Sequence, residues 1–513
     1  MTTNSSRRQG ARHIGAMLVM MTLAAVGLAG FIDTPGNTDE IEFVSSTSSG
    51  GWTWDYYRNR AYPCAVSGYQ TFIIGTKNGS SATATAPLWV KMHGGGVGWF
   101  DPDGTLQPNT ENTTEESRAR LLQTIDDGLT ARAQASPEGF RILSVSMCNR
   151  DVYSGTGAVD PYNPNTQPGG EPITTNGLVA TKAAIKFTKA QLPTTGFFLH
   201  GTSAGGAGAF SVAWGLQAEG DPPAGIVADS GVINSEFEQA RIAQALCTYG
   251  SRDADSLPLI AARFDPDIAN IDNEPDKLVA SGRLTVPIMH VYNKGDKNPC
   301  GTASIECPMR DGSVQTMWAA MCMHEPIAAA IGNLPASAKS ASIAVCVEAS
   351  DAINPCDRHT VTAAAGLVNT DPGAPADFNS AIWTWVRARL ADTPPITDAD
   401  SDGFLDATAA THHGPANTNG NVDNCPGVAN AGQENNDGDF IDLSPPKGFD
   451  DMTRAKSDSL GDACDSDDDN DGRTDADELA GTGCAATNPL LRDTDGDRMI
   501  DGAECALGTN PNV

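Results

Sequence analysis

The chain of 513 residues has few basic residues, no Cys-x-x-Cys pair and, beyond its N-terminal segment, no long apolar run. Lys and Arg total 33 against 64 Asp and Glu, which gives a formal net charge of −31. Because nothing basic is clustered, this balance excludes a nucleic-acid-binding protein. The lack of Cys-x-x-Cys pairs disfavours zinc as the fate of the cysteines. The lack of further apolar runs excludes additional membrane-spanning segments.

The N-terminal segment predicts export. Arg7, Arg8 and Arg12 precede an apolar run over residues 14–28, which ends in small residues. A basic region, a short apolar region and a small-residue exit are typical of a secretory signal peptide, which we assign to residues 1–30. An uncleaved membrane anchor is the alternative, although the run is short for a bilayer. We therefore expect a secreted, extracellular protein, with association to the cell surface as a variant of that location.

The twelve cysteines divide evenly along the chain. Eight lie before residue 391 and four lie in the acidic tail beyond it. In an exported protein, even counts in each part favour disulfide bonds. The pairing cannot be read from the sequence.

Charge also divides the chain into two parts. From Ala391 onward there are 27 acidic and 6 basic residues, so the tail differs chemically from the rest. We predict a flexible, Ser/Thr/Gly-rich lead-in at 31–50, a globular domain at 51–391, a proline-containing linker at 392–397 and an acidic repeat region at 398–513.

The globular domain alternates short strands with helices. Near-continuous apolar strands are typical of a parallel sheet that is buried on both faces. The alternation predicts an α/β fold, a mostly parallel sheet flanked by helices. The strand candidates are Tyr69–Gly75, Leu88–His93, Arg141–Met147, Gly196–Leu199, Gly225–Ala228, Pro287–Tyr292 and Ser340–Val347, and the main helix candidates are Gly177–Gln191, Gly205–Leu216 and Asp377–Leu390.

The most informative motif is Gly-x-Ser-x-Gly at Gly201–Gly205, between a short apolar strand and a helix rich in small residues. This arrangement places Ser203 on a sharp turn with its hydroxyl exposed, and leaves the amide of Ala204 free to bind an oxyanion. The alternative is a glycine-rich loop that contains a serine by chance. Upstream, a His-Gly-Gly-Gly run follows a strand, and its Gly95 and Gly96 amides are candidates for the second oxyanion donor.

A serine nucleophile needs a base and an acid that orients the base. In α/β-hydrolase sheets these follow the serine in the order acid, then histidine. His359 lies in a loop past a strand end and is the favoured base, with His324 as its rival in a helical stretch. Asp296 ends a strand and is the favoured acid. The acids that compete with it are Asp229, Asp351 and Asp357.

Four motifs follow one another much as they do in the pectin acetylesterase/Notum family of serine carboxylesterases, which the chain resembles over roughly residues 50–390. They are HGGGVGW, MCNRDVYSGTG, FFLHGTSAGGAGA and VADSG. The resemblance implies an α/β-hydrolase fold, a Ser203–Asp296–His359 triad, and oxyanion donors at Gly95, Gly96 and Ala204. It implies no cofactor for catalysis.

The same motifs suggest substrate contacts. Trp99 lines either the acyl or sugar site or merely packs the glycine loop. The resemblance implies that Asp151 and Tyr153 belong to the substrate site, and that Asp229 and Asp151 shape it rather than orient the histidine. We expect an esterase that removes acyl groups, notably acetyl, from an extracellular polymer such as pectin or another polysaccharide. The alternatives are a lipase-like or polyester-depolymerising hydrolase, and an adhesion or surface protein with an inactive hydrolase domain.

The acidic tail repeats an Asp-x-Asp-x-Asp pattern three times. Carboxylates at positions 1, 3, 5 and 9, with another at 12, are the oxygen ligands of a calcium loop. A disordered, solubilising tail is the alternative. The candidate ligands are Asp398, Asp400, Asp402 and Asp406 in the first copy, Asp467, Asp469, Asp471, Asp475 and Glu478 in the second, and Asp493, Asp495, Asp497, Asp501 and Glu504 in the third.

Between these copies, Asp423-Asn424-Cys425-Pro426 through Gly461-Asp462-Ala463-Cys464-Asp465 resembles a thrombospondin type 3 calcium repeat, with an insertion at Leu443–Ser457. The resemblance implies a region with little apolar core that bound Ca²⁺ and disulfides organise. We expect structural Ca²⁺ in the tail, and attachment to a cell surface or matrix as the tail's role.

Overall fold

The structure is a computed structural model, and no helix within the residues that it describes is long and apolar enough to cross a membrane. The predicted signal peptide at 1–30 lies outside these residues. The described residues are 32–81, 83–107, 112–231, 256–296, 304–308, 313–347, 356–392, 405–406, 422–425, 428–430, 432, 434–436, 460–497 and 499–513.

A nine-stranded sheet, in the order β1-β2-β3-β7-β4-β8-β9-β10-β13, organises the first part of the chain. In this order, neighbouring strands from β7 through β4, β8, β9 and β10 to β13 pair in parallel. The pairs β1–β2, β2–β3 and β3–β7 at one edge are antiparallel. Two short antiparallel hairpins, β5–β6 and β11–β12, lie outside the sheet. The strands are β1 (Ile41–Ser49), β2 (Trp52–Pro63), β3 (Tyr69–Lys77), β4 (Ala86–Met92), β5 (Trp99–Phe100), β6 (Leu106–Gln107), β7 (Arg141–Val145), β8 (Thr194–Thr202), β9 (Gly225–Asp229), β10 (Ile288–Asn293), β11 (Ser304–Pro308), β12 (Val314–Trp318) and β13 (Ala341–Val345).

Helices connect the parallel strands. Among them, α3 packs against α4, and α4 packs against β8 and β9. The α9 helix begins where predicted, because Asp377 accepts the N–H of Ser380 at 2.9 Å and caps its first turn. The helices are α1 (Arg118–Gln123), α2 (Leu129–Ala135), α3 (Gly177–Gln191), α4 (Ala204–Ala218), α5 (Ser256–Ala261), α6 (Pro266–Ala269), α7 (Pro275–Ala280), α8 (Ala319–Gly332) and α9 (Phe378–Asp392).

Both faces of the sheet are covered. On β8, Phe197 and Leu199 belong to one apolar core, and Phe198 belongs to the core on the opposite face. Side chains alternate between faces along a strand, so a strand that is buried on both sides needs an unbroken apolar run. This explains the near-continuous apolar strands in the sequence. The predicted α/β fold class, a mostly parallel sheet flanked by helices, is confirmed.

The prediction of a flexible lead-in over residues 31–50 is wrong for residues 41–49. Residues 41–49 form β1, which pairs with β2 from Ile41 opposite Asn59 to Ser49 opposite Trp52. β1 is an edge strand whose pattern of half-buried and exposed residues needs few apolar side chains. Its Ser/Thr-rich composition is typical of a flexible segment, so composition did not indicate the strand.

Four disulfide bonds join described residues, each within its own part of the chain. Cys64–Cys148 and Cys346–Cys356 lie in the α/β domain, and Cys425–Cys464 and Cys484–Cys505 lie in the acidic tail. The first links the end of β2 to the segment after β7 across 84 residues. In the tail, two short helices, α10 (Asp475–Ala480) and α11 (Asp501–Leu507), begin at the ninth position of the second and third acidic repeats.

Candidate active site

Ser203 lies on the turn between β8 and α4. Its backbone adopts φ 56° and ψ −122°, a region that non-glycine residues rarely occupy. Its N–H is held by the carbonyl of Asp229 at 2.8 Å. Glycines flank it because the turn leaves no room for side chains: a Cβ at Gly201 would collide with Gly205, and a Cβ at Gly205 would collide with Met92. The predicted strand–serine–helix turn is therefore what the structure contains.

Two hydrogen bonds connect Ser203 to a histidine and an aspartate. His359 Nε2 lies 2.8 Å from Ser203 Oγ, and His359 Nδ1 lies 2.8 Å from Asp296 Oδ2. A carboxylate only accepts hydrogen bonds, so it holds the proton on Nδ1 and leaves the Nε2 lone pair toward the serine hydroxyl. Asp296 is fully buried, whereas the His359 side chain is 26% exposed. The arrangement is that of a serine nucleophile, a general base and an orienting acid.

The environment of His359 favours its charged form. Burial alone lowers the pKa of His359, but the hydrogen bond and charge of Asp296, together with the charge of Asp229, raise it above its ordinary value. An imidazole with a raised pKa accepts a proton from a serine hydroxyl more readily and stabilises the imidazolium that forms.

The rival acid Asp229 binds the loop that carries His359. Its Oδ2 accepts the N–H groups of Val361 and Thr362 at 2.9 and 2.7 Å, and its Oδ1 accepts the Ser230 hydroxyl at 2.7 Å. Asp229 therefore fixes the loop that carries His359 rather than the imidazole itself. Of the other rivals, Asp351 lies outside the described residues, and Asp357 takes no part in the bond to Nδ1, which goes to Asp296.

The rival base His324 does not bond to the serine in this structure. It is buried, and its Nδ1 lies 3.1 Å from Nε2 of His290. Burial, with smaller contributions from His290 and His359, lowers the pKa of His324 well below its ordinary value. The His324 ring stacks on Tyr292, with 4.9 Å between the ring centroids, so His324 has a packing role.

The glycine loop after β4 lies directly against the serine. A Cβ at Gly94 would lie 2.8 Å from Ser203 Cβ, so the loop backbone packs on the nucleophile. Gly95 is exposed, and Gly96 is half-buried with φ 71°, a conformation that favours glycine. Ala204 begins α4, so its N–H is one of the first amides that a helix leaves without an internal partner. The glycine loop and the start of α4 therefore flank Ser203.

Trp99, Asp151 and Tyr153, predicted for the substrate site, have buried side chains that bond within the protein. The Trp99 indole N–H donates to Asp101 at 3.0 Å. The Asp151 carboxylate accepts the N–H groups of Gly155 and Gly177 at 3.2 and 2.7 Å, and so caps the start of α3. The Tyr153 hydroxyl donates to the carbonyl of His93 at 3.0 Å.

Sequence reasoning missed two buried arginines beneath the glycine loop. Arg150 donates to the carbonyls of Gly95 and Val97, and Arg263 donates to the carbonyls of Gly98 and Asn149. Arg150 stands inside the Met147–Gly157 motif, beside the aspartate that drew attention there. Arg263 belongs to no motif, and it donates to the carboxylate of Asp160 as well as to the two backbone carbonyls.

The second and third acidic repeats bring carboxylates together, and the first copy falls largely outside the described residues. In three groups, carboxylate oxygens lie within 4.8 Å of one another. The groups are Asp467–Asp469–Asp471, Asp493–Asp495–Asp497 and Asp471–Glu478–Asp501.

This grouping differs from the division of the predicted ligands among the three repeats. Asp501, predicted for the third copy, joins Asp471 and Glu478 of the second copy. Asp475 belongs to none of the three groups, and its Oδ1 accepts the N–H of Asp468 at 3.0 Å. Glu504 also stands outside them, although it is buried.

No protein-family model matches the chain, and no curated protein matches it. Among solved structures, it is similar to brefeldin A esterase, a bacterial homologue of human hormone sensitive lipase, at 13% identity, 71% coverage of this chain, 78% of that chain and a TM-score of 0.30. It is similar to carboxyl esterase 2 from the mycorrhizal fungus Tuber melanosporum at 15% identity, 63% and 82% coverage and a TM-score of 0.34. It is also similar to a fungal esterase from Rhizomucor miehei at 13% identity, 70% and 84% coverage and a TM-score of 0.35.

Proposed function

We propose that the chain is a secreted serine carboxylesterase that removes acyl groups, chiefly acetyl, from an extracellular polymer such as pectin or another polysaccharide. One observation carries the proposal. His359 bridges Ser203 Oγ and Asp296 Oδ2 with two hydrogen bonds of 2.8 Å, beside a glycine loop that packs on the serine. A serine hydroxyl within reach of the ester, an oriented base and nearby backbone amides are the parts that acyl transfer requires.

The first half of the reaction forms an acyl-enzyme. His359 Nε2 takes the Ser203 proton as Oγ attacks the ester carbonyl carbon. The negative charge that develops on the carbonyl oxygen is stabilised by the amides of Gly95, Gly96 and Ala204. The carbon–oxygen bond to the alcohol then breaks, and His359 gives its proton to the departing alkoxide.

The second half restores the enzyme. A water molecule gives its proton to His359 and attacks the acyl carbonyl. The bond to Ser203 Oγ breaks, Oγ recovers the proton from His359, and the carboxylic acid leaves. Asp296 keeps Nδ1 protonated and stabilises the imidazolium in both halves.

Replacement of the nucleophile tests this mechanism. We expect Ser203→Ala to lose hydrolysis of p-nitrophenyl acetate and labelling by a fluorophosphonate probe, while circular dichroism and thermal unfolding stay near those of the wild type. Ser281→Ala, at an exposed serine that ends α7, is the matched control and should keep full activity. Undiminished turnover in Ser203→Ala would sink the proposal.

Two features support the extracellular polymer as substrate. The motif order resembles the pectin acetylesterase/Notum family, and four disulfide bonds suit an oxidising compartment. Acetate release from acetylated pectin and other acetylated glycans, compared with hydrolysis of long-chain esters and polyesters, tests this part. A clear preference for long acyl chains or polyester granules would favour the lipase-like alternative.

The proposal for the tail is structural Ca²⁺ binding, with surface or matrix attachment as its role. The carboxylates fit a hard cation because four of the predicted ligands that the structure describes have a buried oxygen without a hydrogen-bond partner. Burial first and then neighbouring carboxylates raise the pKa of Asp469 to about 8 and of Glu478 to about 7. The unpartnered oxygens are Asp469 Oδ2, Glu478 Oε2, Asp495 Oδ2 and Glu504 Oε2.

A bound divalent cation would supply the positive charge that lets these carboxylates stay ionised and close together. The residues that would hold it are the three carboxylate groups of the second and third repeats, and by analogy Asp398, Asp400, Asp402 and Asp406 of the first. Calorimetric titration of the full chain with Ca²⁺ measures the binding. Heat indistinguishable from dilution would refute it.

A further inference from the structure

The glycine loop in front of Ser203 is held from behind by buried polar side chains. Residues 93–98 form no helix or strand, so hydrogen bonds to other segments must fix its peptide groups. The direction of those peptide groups decides whether the Gly95 and Gly96 amides face an oxyanion.

Arg150 holds two of these carbonyls. Its Nη2 donates to Gly95 O at 3.0 Å and to Val97 O at 3.2 Å. In return, the N–H of Gly98 donates to the Arg150 carbonyl at 3.0 Å. The Arg150 side chain is only 2% exposed, and a Cβ at Gly98 would lie 3.2 Å from its Cδ and Nε, so the guanidinium is packed tightly under the loop.

His93 holds the preceding carbonyl. Its Nδ1 lies 2.7 Å from Gly94 O, and a carbonyl only accepts, so Nδ1 carries the proton. The ring is fixed on its other side, where Nε2 lies 3.0 Å from Glu116 Oε2. The Tyr153 hydroxyl donates to the His93 carbonyl at 3.0 Å.

Peptide geometry converts these contacts into an orientation of the amides. In a planar trans peptide, the C=O of one residue and the N–H of the next point in opposite directions. When Arg150 holds Gly95 O, it therefore turns the Gly96 N–H away from itself. When His93 holds Gly94 O, it sets the Gly95 N–H in the same manner. The two amides of the glycine loop that the proposed mechanism uses, those of Gly95 and Gly96, are the two whose peptide units are fixed in this way.

The segment that presents Arg150 is itself unusual. Arg150, Val152 and Tyr153 have φ of 58°, 55° and 57°, a region that is strained for non-glycine residues. The disulfide between Cys64 and Cys148 and the two amides bound by Asp151 hold the segment in place. Strain of this kind persists only where the surroundings over-determine it, and it concentrates at functional sites.

We infer that Arg150 is a positioning residue for the oxyanion hole: it orients the Gly96 amide through the Gly95 carbonyl. The inference rests on the proposed esterase function and adds a residue that never touches the substrate. We expect Arg150→Met, which keeps the apolar stem and removes the donors, to lower kcat about 100-fold, the effect of losing one oxyanion donor, with KM changed less than about threefold. Arg150→Lys keeps one charged donor and should lose less.

The experiment compares an oxygen ester with its thionoester on the same enzyme preparation. A thiocarbonyl sulfur accepts hydrogen bonds weakly, so an intact oxyanion hole favours the oxygen ester. The ratio of the two kcat/KM values does not depend on the folded fraction, so partial unfolding of a variant does not affect it. Arg141→Met is the matched control, because Arg141 is also buried and donates to backbone carbonyls, those of Ala84 and Pro193, at the opposite end of β7.

We expect the preference for the oxygen ester to fall at least tenfold in Arg150→Met, to fall partly in Arg150→Lys, and to stay at the wild-type value in Arg141→Met. An unchanged ratio in both Arg150 variants would overturn the inference and leave the esterase intact. A wild-type protein that turns over neither ester would instead overturn the proposed function, and the inference with it.

Discussion

Asp296→Asn is the substitution that separates an orienting acid from a merely buried carboxylate. Asp296 Oδ2 accepts the proton on His359 Nδ1 at 2.8 Å. An asparagine that places its NH₂ group there would donate instead, so Nδ1 would have to accept and the ring proton would move to Nε2. Nε2 faces Ser203 Oγ at 2.8 Å, and a protonated Nε2 cannot take the serine proton.

The expected loss in kcat is about 10⁴-fold, because the histidine is held in the wrong tautomer. At 1.36 kcal/mol per factor of ten, this corresponds to roughly 5.5 kcal/mol of lost transition-state stabilisation. KM should change little, since Asp296 is fully buried and does not reach the substrate. Folding should be retained, because the change replaces one oxygen by an NH₂ group of similar size.

Asp229→Asn is the matched control. Asp229 is equally buried, and its charge also raises the pKa of His359, but its bonds go to Val361, Thr362 and Ser230. The amide oxygen of asparagine can still accept the two backbone N–H groups. We therefore expect a loss of less than about tenfold in p-nitrophenyl acetate hydrolysis. Equal losses in the two variants, or an Asp296→Asn enzyme within tenfold of the wild type, would refute the assigned roles.

Four further outcomes follow from the structure. Since catalysis needs neutral His359 and the pKa of His359 is raised, kcat/KM should fall on acidification with a midpoint above the ordinary histidine value of 6.5, which a pH–rate profile measures. Asp151→Ala leaves two buried N–H groups without an acceptor and should cost about 1–3 kcal/mol in urea unfolding, and KM should stay unchanged because the side chain is buried. Replacing Cys64 and Cys148 by serine opens a loop of 84 residues and should lower the free energy of unfolding by about 2–5 kcal/mol in the same assay. Chelation of Ca²⁺ should make residues 460–513 sensitive to protease while the α/β domain stays resistant, and protection unaffected by chelator would contradict the role of the tail carboxylates.

The sheet could be predicted because burial on both faces leaves a strong pattern. Each parallel strand reads as a short apolar run, as in Gly225–Asp229, where all five residues are buried. The edge strand Ile41–Ser49 has no such requirement, because it pairs on one side only and half of its surface meets solvent. Composition alone therefore led to the prediction of a flexible lead-in where the structure has this strand.

At the site, the sequence predicted the catalytic residues that follow strands, but it did not predict the buried residues that hold the glycine loop. Ser203, Asp296 and His359 each follow a strand, and their chain order limits the choice. The expectation for Trp99 and Tyr153 came from motif membership, which does not distinguish a residue that lines a site from one that packs beneath it. The backbone carbonyls to which Arg150 and Arg263 donate give no side-chain signal in the sequence.

Covalent labelling of Ser203 tests the central claim most directly. The full chain would be treated with a fluorophosphonate, and the modified peptide would be identified by mass spectrometry in the wild type and in His359→Ala. The account predicts one phosphonate per chain, located on Ser203, with a labelling rate at least 100-fold lower in His359→Ala. Label on another residue, no label at all, or equal rates in the two proteins would contradict it.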